Sequence, residues 1–272
     1  MRETVTAQPL GPAVAELGES PFWSGEENCV WWVDVTGRQV LRTDADTGAT
    51  ERWPTPQQIG FLARVNGALV AGMEQGLFRF DPQAGAFDLI AGTELAPGMR
   101  FNDATVDAAG RLWASTMRVA NDRADGAIHV FSDGWRMHRV ADGFRTANGL
   151  AFDAARSRLY FSDSHPTVRR VWHAGFEPHT GRLGEPAVFM RFADGDGRPD
   201  GAALDRDGNY WIACLEAGTI EVRAPSGEAR RSIRLAPGPT LTKLAFGPQG
   251  RMFVTAKATP PRPLSGLLVC DL

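Results

Sequence analysis

The sequence is short of the features that mark most common architectures. Among 272 residues there are only 3 cysteines and 5 histidines. Cys29, Cys214 and Cys270 lie far apart in apolar segments, and no pair has metal-ligand spacing. They read as buried free thiols in a reducing compartment, which excludes a disulfide scaffold and a zinc finger. Long uninterrupted segments are missing as well. With 30 Gly and 18 Pro, the longest stretch free of both is 16 residues, Leu150 to His165, too little for a helical bundle. There is no excess of basic charge, since 29 Lys and Arg against 32 Asp and Glu leave a formal charge of −3. Neither a nucleic-acid groove nor an anionic membrane surface fits that balance. No apolar run approaches the ~20 residues that span a bilayer, and the N-terminus lacks the apolar core of a signal peptide. These absences predict a cytoplasmic protein with no nucleic-acid or membrane partner, present as a monomer or small homo-oligomer.

What is present is a core and a repeat. The chain is 43% hydrophobic, with 8 Trp and 15 Phe, too apolar for disorder. A small-apolar strand, a turn rich in Asp or Gly, and two or three large apolar residues recur along it. Two clear copies are Thr105–Trp113 and Ala203–Trp211. Taking the second bulky residue as anchor gives Trp31, Leu69, Trp113, Tyr160, Trp211 and Phe253, with gaps of 38, 44, 47, 51 and 42 residues. A repeat of about 45 residues has the length of a four-stranded propeller blade. The whole chain, 1–272, is therefore expected to be one all-β domain, a six-bladed β-propeller with blades of four antiparallel strands. The last repeat stops after its third strand, Gly266 to Leu272. Its fourth is expected from the N-terminal segment Glu3-Thr4-Val5-Thr6-Ala7, closing the ring and removing an open edge.

The chemistry falls in register with the repeat. Ten to twelve residues before the anchors stand Glu19, Asn102 and Asp103, Asn148, Asp200 and Thr242; the second copy has Gln57-Gln58-Ile59-Gly60 there. In a propeller the innermost strands line the central channel, so these side chains are expected at one level of its axis. Any one Asp or Asn at a strand start reads equally well as a turn cap, but a shared register reads as a ligand cluster. Carboxylates packed together repel unless a proton or cation intervenes. Two carboxylates with amide oxygens suit a hard divalent ion, Ca²⁺, Mg²⁺ or Mn²⁺, and Zn²⁺ with carboxylate ligands stays open. The histidines share no register, and only His165, near the channel end of a strand, is retained as a supporting group. Ser20 and Ser162 lack a nucleophile elbow. The Asp194-Gly195-Asp196-Gly197 stretch lacks the remaining ligands of an EF-hand and reads as a turn. The tryptophans are expected between blades.

Four local motifs, Leu17-Gly18-Glu19-Ser20-Pro21-Phe22-Trp23, Arg100-Phe101-Asn102-Asp103-Ala104, Ala147-Asn148-Gly149-Leu150-Ala151-Phe152 and Pro199-Asp200-Gly201-Ala202, occur in this order. Together they resemble the family of gluconolactonase, regucalcin (senescence marker protein) and luciferin-regenerating enzyme, over essentially the whole chain. Ala114–Met117 and Tyr160–Ser164 match it too. The resemblance implies a six-bladed propeller with one divalent metal held by Glu19, Asn148 and Asp200. It also implies Arg100 and Asn102 facing substrate hydroxyls and Asp200 as catalytic acid/base, with Asp103 and Thr242 in support. The chain departs from the family at Ala104 and Ser115, both commonly Gly, and at Ala120, where regucalcin-like members place an acid. The polar loop at 119–126, with Asn121, Asp122, Arg123 and Asp125, is a candidate replacement. The expected function is metal-dependent hydrolysis of a sugar lactone to the aldonic acid. Alternatives are a phosphotriesterase-like or other metal-dependent esterase, and a non-catalytic calcium-binding regulatory propeller.

Overall fold

A computed structural model describes residues 2–92, 95–260 and 265–272. Each repeat folds into a sheet of consecutive antiparallel hairpins. In blade 1 these are Gly18–Ser24, Cys29–Asp34, Gln39–Asp44 and Thr50–Pro54, from the axis outwards. The inner strands of blades 2 to 6 are Ile59–Val65, Met99–Val106, Ala147–Asp153, Arg198–Leu204 and Thr240–Phe246. Every inner strand packs against the inner strands of both neighbours, including the sixth against the first, so the ring is closed. Among the described residues no helix is long and apolar enough to cross a membrane.

The hydrophobic core is divided in the same way. Alternate residues of each strand face one neighbouring blade or the other, and six buried clusters result, one at each blade interface. Trp31 lies between blades 1 and 2, Trp113 between 3 and 4, and Trp211 between 5 and 6. Trp31 stacks on Trp53 at 5.5 Å, and Trp113 meets Phe176 edge-on at 6.0 Å.

Ring closure uses the N-terminal segment, but not the residues expected. Arg2–Thr6 lies parallel to Ala229–Ala236 and becomes a fifth strand of blade 5. Two contacts hold it there: Val5 packs against the cluster between blades 5 and 6, and Glu3 pairs with Arg231 at 2.7 Å. The last blade is completed instead by Gln8–Pro9, antiparallel to Gly266–Asp271, with the Leu10 amide donating to the Leu267 carbonyl at 2.9 Å. The terminus therefore straps two blades rather than filling one.

The repeated turn also explains its own composition. Asp107 accepts from the amides of Ala109 and Arg111 at 2.9 and 3.0 Å, and from the Trp113 indole at 2.9 Å. Asp205 does the same for Asp207, Asn209 and Trp211, and Glu27 accepts from the Trp31 indole at 2.9 Å. The acid closes the turn and satisfies an indole N–H that the blade interface would otherwise bury unpaired. Asp107→Ala orphans that indole and several amides together. The expected loss is about 3 kcal/mol of unfolding free energy, read by urea denaturation.

Candidate functional site

The side chains that face the axis are aimed there by an irregularity common to all blades. In each one, pairing between the first and second strands slips by one residue. The slips fall between Glu19 and Phe22, Ile59 and Phe61, Phe101 and Ala104, Asn148 and Ala151, Pro199 and Ala202, and Leu241 and Lys243. Such bulges bend a strand and re-aim its side chains, and every expected site residue except Arg100 sits in one or on its edge. Two carry visible backbone demands. Ser20 holds φ 50°, unusual for a non-glycine residue, and its hydroxyl is tied to both the amide and the carbonyl of Leu62 in blade 2. Gly149 holds φ 61°, and a Cβ there would lie 2.6 Å from the Tyr210 hydroxyl and 3.0 Å from the Asp200 carbonyl.

Of Glu19, Asn148 and Asp200, the last two are in contact, and Glu19 lies near enough to Asp200 for its charge to act on it. Asn148 Nδ2 donates to Asp200 Oδ1 and, at 3.2 Å, to Ser164 Oγ, which in turn donates to the Pro199 carbonyl at 2.5 Å. Burial, reinforced by the negative charge of Glu19, pushes the Asp200 carboxyl well above the usual range. Burial and then Asp103 push Glu19 up to about 7, against the pull of Lys243, the Ser20 amide and Arg100. Two carboxyls, Asp200 buried and Glu19 half-buried, that each resist ionisation suit a site built to receive a cation. The third donor is an amide, and half a turn of that amide presents Oδ1 in place of Nδ2. Among the described residues no three His, Cys, Asp or Glu side chains cluster as a metal site. The donor set is two carboxylates with an amide, oxygen chemistry that fits a hard divalent ion better than a soft one.

Arg100 lies in the floor of the site, 7% exposed. Burial lowers its guanidinium to about 10, while Glu19, Glu74 and Asp200 oppose the change. Its Nη1 donates to Phe101 O at 2.7 Å and Asn102 Oδ1 at 2.8 Å, and its Nε has no partner. Asn102 passes the link on to the Ala147 carbonyl at 3.0 Å. Ser115, where the family commonly has Gly, receives the Asp103 amide at 3.0 Å and donates to the same Ala147 carbonyl at 2.8 Å. Blades 3 and 4 are thus pinned together beside the ligands.

Asp103 and Thr242 are supports of different kinds. Asp103 accepts from the Leu150 amide at 2.8 Å and is ion-paired with Lys243, which reaches it across the channel from the opposite blade. The Lys243 stem lies on Gly201, where a Cβ would come within 2.4 Å of it. Thr242 Oγ1 donates to the Gly18 carbonyl at 2.6 Å, next to Glu19. Beyond the bridge the channel widens into a cavity of about 520 Å³ whose lining includes Phe22, Leu62, Phe152, Leu204 and Phe246. His165 stands at the mouth, but its Nδ1 is bonded to Thr167 of its own loop at 2.8 Å. The 119–126 loop turns polar groups to its flanks: Asp122 and Asp125 both pair with Arg118, and Asn121 accepts from Thr146 at 2.9 Å. Sequence reading singled out neither Lys243 nor Glu74: Lys243 stands beside Thr242 in the shared register but acquires its partner only across the closed ring, and Glu74 follows a second strand, outside the positions compared.

Comparison with known proteins fixes the family. The model of the SMP-30/gluconolactonase/LRE-like region matches residues 17–258. The chain belongs to this family. It is 32% identical over 250 residues to the 6-deoxy-6-sulfogluconolactonase of Pseudomonas putida, covering 91% of this chain and 84% of that protein. It is 30% identical over 246 residues to the L-arabinolactonase of Azospirillum brasilense, covering 88% and 80%. Its fold matches a crystal structure described as a calcium-binding protein, regucalcin, from Agrobacterium tumefaciens, with TM-score 0.91 and 23% identity over 100% of this chain and 95% of that one.

A consequence for stability follows from Glu19 and Asp200. In the folded protein these carboxyls hold protons that the unfolded chain releases near 4.5 and 3.8. The site's contribution to stability therefore falls as pH rises from about 4.5 to 7 when no cation is bound. A divalent ion that binds the ionised pair restores it by mass action. Thermal melts with and without Ca²⁺ or Mn²⁺ should show a Tm difference that widens from pH 5 to pH 8. In Glu19→Gln this widening should shrink.

Proposed function

We propose that this propeller is a sugar lactone hydrolase that works with one divalent cation. The observation that supports the reading is the Asn148–Asp200 contact with Glu19 close by, the proton affinity of both carboxyls being raised by their surroundings. The family and its lactonase relatives support the substrate class. Glu19, Asn148 and Asp200 would hold the cation, whose charge polarises a lactone carbonyl and stabilises the negative oxygen that develops in acyl transfer.

The chain's own groups supply the rest. Asp200 would be the proton acceptor for the attacking water, as a buried carboxyl whose proton affinity is raised by burial and by Glu19. The same residue returns that proton to the ring oxygen as the ester opens. Arg100 and Asn102, locked to each other and to blade 4, offer a fixed edge for the substrate's hydroxyl groups, so that little orientation is lost at the moment of reaction. Asp103, ion-paired with Lys243, fixes the backbone at Leu150.

The decisive experiment is hydrolysis of a panel of aldonolactones by protein loaded with Ca²⁺, Mg²⁺, Mn²⁺ or Zn²⁺, and again after chelation. Turnover should depend on the added ion, and Asp200→Ala should lose at least about a thousandfold in kcat with its circular dichroism unchanged. Full activity after chelation, or an active Asp200→Ala protein, would overturn the reading. Faster turnover of an organophosphate triester would point to the esterase alternative, and no turnover of any ester to a binding protein.

A further inference from the structure

We propose that the cavity at the far end of the channel binds a small monocarboxylate with an apolar body, such as a medium-chain fatty acid, in a site separate from the acidic cluster. The inner strands run from the acidic level towards this cavity. Glu19, Asn148, Asp200 and Thr242 occupy the second or third position of their strands, and the cavity takes its wall from later positions of all six. Phe22, Arg64, Val106, Phe152, Leu204 and Phe246, one from each blade, line it and are each only half-buried. Its volume of about 520 Å³ is that of a small-molecule site.

The charges around the cavity are of one sign. Among the described residues that line it there is no Asp or Glu, and the two charged side chains are Arg64 of blade 2 and Lys243 of blade 6. Blades 2 and 6 flank blade 1, so the cations stand on one side of the cavity, whereas Phe152 and Leu204 of blades 4 and 5 stand on the other. Lys243 Nζ bonds Asp103 and, at 3.3 Å, the carbonyl of Ala104, itself part of the wall. An ammonium has three N–H donors, and these contacts use two. Arg64 lies with its guanidinium 5.9 Å from the centre of the Phe22 ring, and its Nη2 donates to Glu27 at 2.6 Å, one contact for a group with five donors. The partner acids, Asp103 and Glu27, are not part of the wall. Cations on one side of an apolar cup complement a ligand with one negative charge and a hydrocarbon remainder. The carboxylate takes charge-assisted bonds from the cationic side while the chain lies on Phe152, Leu204 and Phe246. A neutral hydrocarbon would strip water from the cations without replacing it, and a sugar would leave its hydroxyls against the apolar side.

The test is calorimetric titration of the cation-loaded protein with octanoate, 1-octanol and octyltrimethylammonium, three amphiphiles with one chain and different head charge. Octanoate should bind one to one, 1-octanol about tenfold or more weakly, and the ammonium weakest of all. Ala203 and Thr105 also line the cavity, on blades 5 and 3. Ala203→Trp and Thr105→Phe, which fill the space, should each weaken octanoate at least about tenfold with circular dichroism unchanged. Arg64→Met keeps the stem and removes the charge, and should cut the preference for octanoate over 1-octanol at least about threefold, whether or not the filled variants fold. No binding, equal affinity for all three amphiphiles, or octanoate affinity indifferent to Arg64→Met and to the filled variants would overturn the proposal. Octanoate binding that disappears on chelation would place the carboxylate on the axial cation and overturn it as well. None of these readouts depends on lactone hydrolysis, so the two readings fail separately.

Discussion

Two carboxyl groups buried close together on one axis resist ionisation, and the architecture around Glu19 and Asp200 holds them there regardless. That arrangement is costly unless a proton or a cation resolves it. It is kept by features far from the site: a closed ring of inner strands, six interfaces each with its own apolar cluster, and a one-residue slip in every blade. Six sheets anchored by their own interfaces can hold the inner strands against local repulsion, much as a packed scaffold holds strained residues at a functional site.

The Asp103–Lys243 bridge shows how the repulsion added by a further carboxylate is partly offset. It spans opposite blades, so its geometry depends on the ring being closed, and it lies between the acidic site and the apolar cavity behind it. A buried pair of this kind contributes little net stability relative to an apolar isostere. Its effect is on the charge of the site: Asp103 raises the proton affinity of Glu19 and Asp200, and Lys243 offsets part of that rise.

Much of this was legible in the sequence. The spacing of Trp31, Trp113 and Trp211 tracks an indole–acid bond made in three of the six repeats, so there the repeat is the imprint of a hydrogen bond and not only of apolar pattern. The register of Glu19, Asn148 and Asp200 is likewise physical, because the slips occur at the same height in every blade. The closing strand was less legible. Glu3–Ala7 and Gln8–Pro9 are both short extended segments, and sequence alone does not distinguish an outer edge of blade 5 from the open edge of blade 6. Lys243 and Glu74 were hidden for a different reason. Their roles come from reaching across the channel or from the end of a second strand, and such relations exist only once the ring has formed.

The central claim is that Glu19, Asn148 and Asp200 form one cation site on the axis. A crystal soaked in Mn²⁺ and measured for anomalous scattering tests it most directly. A single strong peak within coordinating distance of these three side chains is predicted. No peak on the axis, or a peak held by other residues, would contradict the account.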